Sequence, residues 1–423
     1  MNASESSLNQ SSKTQSNCRF CNYPLQHTFV DLGMSPPCES YRTLEQSNEM
    51  EPFYPLHAYV CDRCFLVQLQ EYISPENIFS EYAYFSSYSD TWLKHCQDYT
   101  NAIVERFQLD RESHVVEIAS NDGYLLQYFL EKRIPSLGIE PAANIAKVAQ
   151  QKGVPTLIEF FGREIAQKLV EQGKKADLLI GNNVLAQVPD LNDFVKGMKL
   201  LLQPQGVITI EFPHLMRLME ENQFDTIYHE HFSYFSLLTM EQIFAAHELK
   251  IFDVEELSTH GGSLRIYAAH SEDISKSISS QVTELKQREE NANLNQLKRY
   301  FSFTEQVKET KRKALDFLIK AKREGKSIAG YGAPGKGNTF LNYCGIRTDF
   351  IDYTVDRNPY KQGKFLPGTH IPIFHPDKIA ETRPDYVAIL PWNFKDEIME
   401  QMANIRTWGG QFVIFVPEVK VYS

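Results

Sequence analysis

Two closely spaced cysteine pairs near the N-terminus constrain the fold of this chain more than any other feature of its sequence. Cys18 and Cys21 form one CxxC pair, and Cys61 and Cys64 form the other. Four thiolates in this pattern suit tetrahedral Zn²⁺, which binds sulfur at about 2.3 Å. Redox catalysis is the alternative for a CxxC pair, but it usually requires one pair at a helix start in a thioredoxin-like unit. The sequence therefore predicts a structural zinc site built from these four cysteines.

The remaining cysteines and the N-terminus indicate a reduced, cytoplasmic protein. The total of 7 cysteines is odd, and Cys38, Cys96 and Cys344 are far from one another in the sequence. We expect these three to be small buried or partly buried residues and not disulfide partners. Residues 1–17 are rich in Ser, Gln and Asn and lack the basic-then-apolar pattern of a signal peptide, so we expect a disordered lead-in. Because no apolar run reaches roughly 18 residues, we expect no membrane span.

Charge and length limit the class of function. Lys and Arg number 43 and Asp and Glu number 54, which gives a formal net charge of −11. A chain this acidic lacks the basic surface that general nucleic-acid binding requires. At about 150 residues per domain, a chain of 423 residues corresponds to two or three domains.

Composition and hydrophobic periodicity divide the chain into blocks. After the lead-in we expect a zinc-binding domain over 18–75, an α/β domain over 76–270, a helical linker over 271–325 and a second α/β domain over 326–423. The polar linker, nearly free of Gly and Pro, is typical of one or two long amphipathic helices. Predicted strands are 114–118, 136–139, 176–180, 206–212, 327–330, 350–355, 386–390 and 411–416.

The first predicted strand of the middle block leads into a turn suited to a nucleoside ligand. The strand ends near Glu117, and Ala119, Asn121 and Gly123 occupy the turn before an apolar helix start. Open α/β sheets bind such ligands at the carboxyl ends of their strands. Because GxGxxG is absent, the turn does not predict the phosphate cradle of a dinucleotide cofactor.

Two further strand ends supply polar groups for the same ligand. Glu140, followed by Pro141 and Asn144, ends the next strand where a carboxylate can accept both hydroxyls of a ribose. Asn182 and Asn183 follow the predicted strand 176–180. A small-residue turn, a ribose-binding acid and this polar wall are the parts that an S-adenosylmethionine site needs. The alternative is a Rossmann-like turn that binds no ligand.

The motif Tyr228-His229-Glu230-His231 collects two imidazoles, a carboxyl and a phenol within four residues. These are groups that general acid–base catalysis uses. If the motif is extended, the two histidines share one face, as in HxH pairs that bind metals. A purely structural aromatic cluster is a further alternative.

A glycine-rich loop opens the C-terminal α/β block. Residues 330–339 follow an apolar strand, and their small side chains let backbone N–H groups approach an anion. Lys336 adds positive charge, with Asn338 and Thr339 beside it, but a glycine follows the lysine, so this is not a Walker A loop. Asn393 follows a later strand of the same block. A structural turn or a site for another nucleotide, such as NAD, are alternatives to a phosphate site.

Five segments of the chain together carry a resemblance that none of them carries alone. They are the segment 18–64, which contains both CxxC pairs, and the motifs EIASNDGYLL (117–126), YHEHFSYFS (228–236), HGGSL (260–264) and GYGAPGKGNT (330–339). In this order they resemble sugar C-methyltransferases of deoxysugar pathways. The resemblance implies an α/β fold with a small N-terminal zinc-binding domain, a central Rossmann-like class I methyltransferase domain and a C-terminal second Rossmann-like domain that helps hold a nucleotide-sugar.

The resemblance also implies a chemistry for the site. In relatives, S-adenosylmethionine methylates the carbon beside the keto group of a nucleotide-linked keto-deoxysugar. The matching positions make His231 the general base, Glu230 its neighbour or orienter, and Tyr228 the donor to the enolate oxygen. An imidazole with the ordinary pKa of about 6.5 suits proton abstraction near neutral pH.

Four further positions are implied as substrate contacts. Tyr82 and Tyr84 lie in a segment that resembles the family's lid, with an aromatic packing stripe as the alternative, and His260 belongs to the HGGSL motif. Gln187 stands where the family commonly has His. An amide can hydrogen-bond a substrate but cannot shuttle a proton.

The sequence therefore predicts a cytoplasmic C-methyltransferase that uses S-adenosylmethionine and zinc and acts on a small nucleotide-sugar, with no nucleic-acid or membrane partner. One alternative is a methyltransferase that acts on another ketone or on a hydroxyl. The other is a relative that binds or epimerises the sugar nucleotide without methylating it.

Overall fold

The computed structural model describes residues 16–76, 86–88 and 90–423, and three β-sheets organise this part of the chain. Its strands are β1 (His27–Ser35), β2 (Tyr54–Val60), β3 (Val67–Leu69), β4 (Val115–Ile118), β5 (Ser136–Ile139), β6 (Thr156–Leu157), β7 (Ala176–Asn182), β8 (Leu202–Pro213), β9 (Ser233–Tyr234), β10 (Leu249–Leu257), β11 (Ser263–His270), β12 (Ile328–Tyr331), β13 (Thr354–Val355), β14 (Ile373–Phe374), β15 (Tyr386–Ile389), β16 (Gln411–Ile414) and β17 (Lys420–Tyr422).

The α-helices of the described residues cover the faces of these sheets and connect them. They are α1 (Asp90–Phe107), α2 (Leu126–Glu131), α3 (Ala143–Gln151), α4 (Arg163–Glu171), α5 (Leu191–Leu201), α6 (Leu215–Glu220), α7 (Leu237–Ala246), α8 (Ser280–Asn291), α9 (Leu297–Phe301), α10 (Phe303–Arg323), α11 (Gly335–Cys344), α12 (Lys378–Thr382) and α13 (Lys395–Gln401). In this part of the chain no helix has both the length and the apolar character needed to cross a bilayer.

The middle sheet has seven strands in the order β10-β11-β8-β7-β4-β5-β6 and the fold of class I methyltransferases. Strand β4 pairs in parallel with β5 on one side and β7 on the other, so the strand order reverses beside β4. Ligands of open α/β sheets bind outside the carboxyl ends of the strands at such a reversal. The antiparallel β11 pairs with β8 and β10 at the far side of the sheet.

The N-terminal sheet includes one strand, β9, from the middle block of the chain. Its order is β1-β2-β3-β9, and β9 pairs antiparallel with β3. The two-residue β9 follows the YHEH motif directly. The cysteine-bearing region is therefore held by backbone hydrogen bonds against the segment that carries the predicted base.

The C-terminal sheet has six strands in the order β14-β13-β12-β15-β16-β17. All its pairings are parallel except that of β16 with β17. Strand β12 is buried along its whole length and leads through the glycine-rich loop into α11. This confirms the predicted second Rossmann-like unit.

Most predicted strands lie where the apolar runs indicated, but of the run 350–355 only Thr354 and Val355 form a strand. The predicted linker contains two long helices, α8 and α10. The five-residue α9 lies between them, because the chain turns at Asn293, whose φ is +62°. Strands β10 and β11 were not predicted, since Arg265 interrupts the apolar pattern of a strand whose residues are all buried.

Candidate active site

The four predicted metal ligands lie together at the edge of the N-terminal sheet. Their Sγ atoms are all within 4.8 Å of one another, with Cys18 and Cys64 3.6 Å apart and Cys21 and Cys61 3.5 Å apart. Four sulfurs at about 2.3 Å from a tetrahedral zinc ion lie roughly 3.8 Å from one another, so the cluster fits zinc. The Gln68 amide donates to Cys18 Sγ at 3.2 Å and supports the cluster from outside.

One cavity of about 500 Å³ opens at the carboxyl edge of the middle sheet. Its walls come from all three parts of the chain: the segment after β1, the strand ends of the middle sheet and the loops that follow β12 and β15. The cysteine cluster does not contribute to these walls. We describe the cavity as a cofactor half, at the ends of β4 to β7, and a substrate half beyond it.

The cofactor half is built around the turn after β4. Ala119 and Asn121 have φ values of +57° and +48°, in the left-handed region that non-glycine residues rarely adopt. This conformation directs the Asn121 N–H to Glu140 Oε2 at 2.9 Å, while Glu140 Oε1 accepts from the Ala142 N–H at 2.9 Å. The Glu140 carboxylate is thereby fixed at the end of β5, and Pro141 lies beside it in the cavity wall.

The end of β7 supplies the opposite wall of the cofactor half. Asn182 and Asn183 both line the cavity. The side-chain oxygen Oδ1 of Asn182 is buried without a hydrogen-bond partner among the described residues. A buried acceptor is costly to leave unpaired, so this atom fits a ligand that donates a hydrogen bond.

Three predicted cofactor residues do not line the cavity. Glu117 is fully buried beneath the turn, and this burial raises the pKa of its carboxyl well above the ordinary value. Gly123 packs against the side chain of Val154, which would lie 2.8 Å from a Cβ at that position. Asn144 is exposed on α3. These three residues lie under or beside the turn after β4 and do not form the surface of the cavity.

Sequence reasoning missed the aromatic part of the cofactor half. Phe160 and Phe161, next to Glu159, follow the two-residue strand β6 and line the cavity. Trp92 on α1 also lines it and lies 5.5 Å from the His260 ring. Strand β6 has only two residues, so its apolar pattern was too weak to predict it. The pair of aromatic residues that follows is the signal in the sequence that could have indicated this wall of the cavity.

The predicted base faces the substrate half. His231 lines the cavity, and its Nδ1–H donates to the Thr226 carbonyl at 3.2 Å, which leaves Nε2 available to a ligand. Burial lowers the pKa of His231 to about 4, so the expectation of an ordinary imidazole pKa was wrong for this residue. The Tyr228 ring lies 4.2 Å from the His231 ring, and burial raises the pKa of its phenol well above the ordinary value.

Glu230 lines the same half but does not orient His231. His231 donates its Nδ1–H to the Thr226 carbonyl, whereas Glu230 Oε1 accepts from Cys38 Sγ at 3.5 Å. His229 is directed away, with its Nε2 3.3 Å from the Pro55 carbonyl. The two histidines of the motif therefore do not form the metal pair that an extended HxH would allow.

A second imidazole reaches the cavity from the hairpin between β10 and β11. His260 has a φ of +55°, and its Nε2 accepts from the Asn183 side-chain amide at 3.2 Å. Burial lowers the pKa of His260 to about 4, so it is neutral near pH 7. Gln187 also lines the cavity, and its contact with a substrate stays a prediction.

The C-terminal loops contribute two lysines, Lys336 and Lys361, to the walls of the substrate half. Lys336, in the first turn of α11, donates to Asn393 Oδ1 at 2.8 Å, and its Nζ lies 4.6 Å from the centre of the Trp392 ring. Burial lowers the pKa of Lys336 below the ordinary value, and the nearby Asp225 carboxylate partly opposes that shift. Lys361, which sequence reasoning missed, also lines the cavity and pairs with Glu39 at 3.4 Å.

Asn338 and Thr339 join parts of the chain and do not line the cavity. The Asn338 amide donates to the Cys38 carbonyl at 2.6 Å, and the Thr339 hydroxyl donates to the Ile227 carbonyl at 3.1 Å. Both side chains are buried. Tyr82 and Tyr84 lie outside the described residues, so their predicted roles stay predictions.

Family models match three successive parts of the chain. A zinc binding domain matches residues 18–79, a methyltransferase domain residues 92–254 and a C-methyltransferase C-terminal domain residues 258–417. The first two matches contain the cysteine cluster and the turn after β4. The third contains the hairpin of His260 and the glycine-rich loop.

The chain is similar to one curated enzyme along nearly its whole length. It is 33% identical over 406 residues to the C-methyltransferase NovU of Streptomyces niveus, a match that covers 96% of each protein. Among solved structures, magnesium protoporphyrin IX methyltransferase of Synechocystis PCC 6803 with bound SAM is 16% identical, with a TM-score of 0.33, over 43% of this chain and 82% of that one. PH0226 of Pyrococcus horikoshii OT3 is 13% identical, with a TM-score of 0.36, over 44% of this chain and 95% of that one.

Three domain models match the chain in order, and NovU matches it over nearly its whole length. The chain therefore belongs to the sugar C-methyltransferase family, whose cofactors are S-adenosylmethionine and zinc.

Proposed function

We propose that this enzyme methylates the carbon beside the keto group of a nucleotide-linked keto-deoxysugar, with His231 as the base. The observation that carries the proposal is a neutral imidazole, held through Nδ1, in the cavity that also contains the Glu140 carboxylate. The sugar-nucleotide class follows from the family resemblance and from the two lysines, Lys336 and Lys361, in the substrate half.

Methylation of carbon requires that a carbon nucleophile is made first. A C–H bond beside a carbonyl loses its proton when a base is positioned and the resulting enolate is stabilised. In the proposal, His231 Nε2 takes this proton, the C–H electron pair forms the enolate double bond, and the carbonyl π electrons move to oxygen. Because burial keeps the imidazole neutral, it can accept a proton throughout the neutral pH range.

A base with a pKa near 4 makes stabilisation of the enolate important. The Tyr228 phenol keeps its proton, because its pKa is raised, and it is positioned beside His231 to donate to the developing oxyanion. Such a donor is worth most in a site that excludes water. Glu230 lies beside Tyr228 and His231 in the same wall of the cavity, and its predicted catalytic role stays a prediction.

The cofactor half has groups that fit S-adenosylmethionine, which supplies an electrophilic methyl group when bound. Each Glu140 oxygen accepts one backbone N–H and retains a lone pair for a ribose hydroxyl. The unpaired Asn182 Oδ1 fits the amino group of the methionine end. Phe160 and Phe161 offer apolar surface to the adenine.

The diphosphate of the substrate is assigned to the start of α11. The backbone N–H groups in the first turn of a helix and the partial positive charge there attract anions. Lys336 and Lys361 add two cationic side chains on the same side of the cavity. Asn393 holds the Lys336 ammonium and is expected to share the contact.

Gln187 supports a second candidate, proton exchange or epimerisation without methyl transfer. It lines the cavity where the family commonly has His, so an acid–base group that relatives possess is missing. The two candidates differ in their products. Incubation with S-adenosylmethionine and thymidine-diphosphate-4-keto-6-deoxyglucose, followed by mass spectrometry, should give a product heavier by one CH₂ group; an isomer of unchanged mass would favour the second candidate.

A further inference from the structure

Trp392 contacts both loops that carry the cavity's histidines. It begins the turn after β15 and is only 8% exposed. Its indole Nε1–H donates to Asp225 Oδ2 at 2.7 Å. The far edge of its ring lies against Gly261, so closely that a Cβ there would be 2.5 Å from Cη2 of the indole.

Asp225 belongs to the short turn that holds His231. This turn, Phe224–Thr226, presents the Thr226 carbonyl that accepts the His231 Nδ1–H at 3.2 Å. A second contact from the C-terminal part of the chain is made by Thr339 on α11, whose hydroxyl donates to the Ile227 carbonyl at 3.1 Å. Two hydrogen bonds from the C-terminal part of the chain thus fix the backbone on either side of the carbonyl that orients the imidazole.

The hairpin that carries His260 is tied to the same turn. Gly261 follows His260, and its carbonyl accepts from Gln223 Nε2 at 2.6 Å, one residue before the turn begins. Gly261 has a φ of +89°, so a side chain would be unfavourable there for conformational reasons as well as for lack of space beside the indole. The indole therefore packs on one histidine loop and hydrogen-bonds the other.

We propose that Trp392 is a positioning residue: through Asp225 and Gly261 it holds the turn that orients His231 and the hairpin that presents His260. This inference rests on the proposed role of His231 as the base. It makes the base dependent on the C-terminal sheet, although His231 itself belongs to the middle of the chain. The glycine-rich loop and the turn after β15 then serve the proton transfer as well as the binding of the substrate.

The test compares Trp392→Phe, which removes the N–H and keeps an aromatic ring, with Trp408→Phe. Trp408 is a matched control because its Nε1–H donates to the Pro384 carbonyl at 3.1 Å, in the same C-terminal part of the chain but outside the cavity walls. Asp225→Asn keeps an oxygen acceptor for the indole and should behave as the conservative variant.

The first readout needs no substrate. In ¹⁵N-histidine NMR, the His231 signal, identified by its loss in His231→Asn, should show a single Nδ1–H tautomer in the wild type, Trp408→Phe and Asp225→Asn. In Trp392→Phe it should shift towards a mixture of tautomers. Because this readout does not depend on turnover, it separates failure of the positioning role from failure of the proposed function.

The second readout is the steady-state kinetics, in which the effects of the substitution on kcat and on KM are compared. Trp392→Phe should lower kcat on the order of tenfold to hundredfold, as expected when a reacting group is misplaced by a fraction of an ångström to one ångström. The KM for S-adenosylmethionine should not change, and Trp408→Phe should match the wild type. An unchanged His231 tautomer together with an unchanged kcat in Trp392→Phe would overturn the proposal.

Discussion

The two halves of the cavity are assembled in different ways. The groups of the cofactor half follow directly after parallel strands of one sheet, and backbone N–H groups three residues beyond the ends of β4 and β5 fix the Glu140 carboxylate. The groups of the substrate half come from distant segments, among them those around Glu39, His231, His260 and Lys336. These segments meet only because the N-terminal and C-terminal sheets pack on the middle one.

This difference indicates which half is robust to change elsewhere in the molecule. A parallel sheet brings its strand ends to one edge by construction, so the cofactor half needs only the middle sheet. The substrate half needs hydrogen bonds between regions, such as those from Trp392 to Asp225 and from Thr339 to Ile227. We therefore expect variants that disturb the sheet contacts to impair catalysis while cofactor binding persists.

The largest effect is expected when the base itself is replaced. His231→Asn should reduce methyl transfer by roughly 10²- to 10⁴-fold, the usual contribution of a general base. The affinity for S-adenosylhomocysteine, measured by isothermal calorimetry, should stay at the wild-type value because the cofactor half is unchanged. Wild-type turnover in this variant would remove His231 from the role of base.

Loss of the metal tests whether the N-terminal sheet serves only the substrate half. In Cys64→Ser, zinc measured by mass spectrometry should fall from one ion per chain to a small fraction of that value. Transfer should fall with it, because β3 of this sheet pairs with β9 beside the YHEH motif. Cys344→Ala, at a buried cysteine outside the cluster, is the control and should keep its zinc.

Binding of S-adenosylhomocysteine by zinc-free Cys64→Ser should persist if the halves are independent. A variant that loses both zinc and the cofactor would show that the middle sheet does not hold its binding groups alone, and the contrast between the halves would fail.

A substitution at Glu140 should have the complementary effect. Glu140→Ala removes the acceptor of two ribose hydroxyls, and hydrogen bonds to a charged group contribute about 1.5–3 kcal/mol, so affinity should fall roughly 10- to 100-fold. Glu140→Gln, which keeps one oxygen acceptor, should lose less. Calorimetry with S-adenosylhomocysteine measures both, and equal affinities in the wild type and Glu140→Ala would contradict the assignment.

The smallest expected effect concerns pH. The base must be unprotonated, and burial lowers the pKa of His231 to about 4, so activity is retained above that value and lost as the pH falls through it. The acid side of the kcat/KM profile should therefore decline near pH 4. A decline near pH 6.5 would indicate a solvated imidazole.

Asp225 provides the control for this profile, because burial raises the pKa of its carboxyl to about 6. If a partial decline near pH 6 appears, Asp225→Asn should remove it and leave the decline near pH 4. If Asp225→Asn keeps the decline near pH 6, Asp225 is not the group that causes it.

The sequence was most informative where local pattern determines position. The ends of β4, β5 and β7 were predicted from apolar runs, and Glu140 and Asn182 follow from the rule that ligands bind at such ends. The cysteine cluster was predictable because the spacing of the two pairs already specifies the ligand geometry.

The substrate half was less predictable from the residues alone. Nothing local indicates that the Thr226 carbonyl orients His231 in place of Glu230, or that Lys361 and Glu39 reach the cavity. The pKa of His231 also depends on burial by several regions of the chain, which a motif does not reveal. These features arise from packing between sheets, and only the structure specifies that packing.

The most direct test of the account is hydrogen exchange at the substrate carbon. The enzyme is incubated in deuterated water with thymidine-diphosphate-4-keto-6-deoxyglucose and S-adenosylhomocysteine, which permits deprotonation but no methyl transfer. We expect deuterium beside the keto group with the wild type and with Glu140→Gln, and none above background with His231→Asn. Exchange by His231→Asn at the wild-type rate would contradict the claim that this histidine takes the proton.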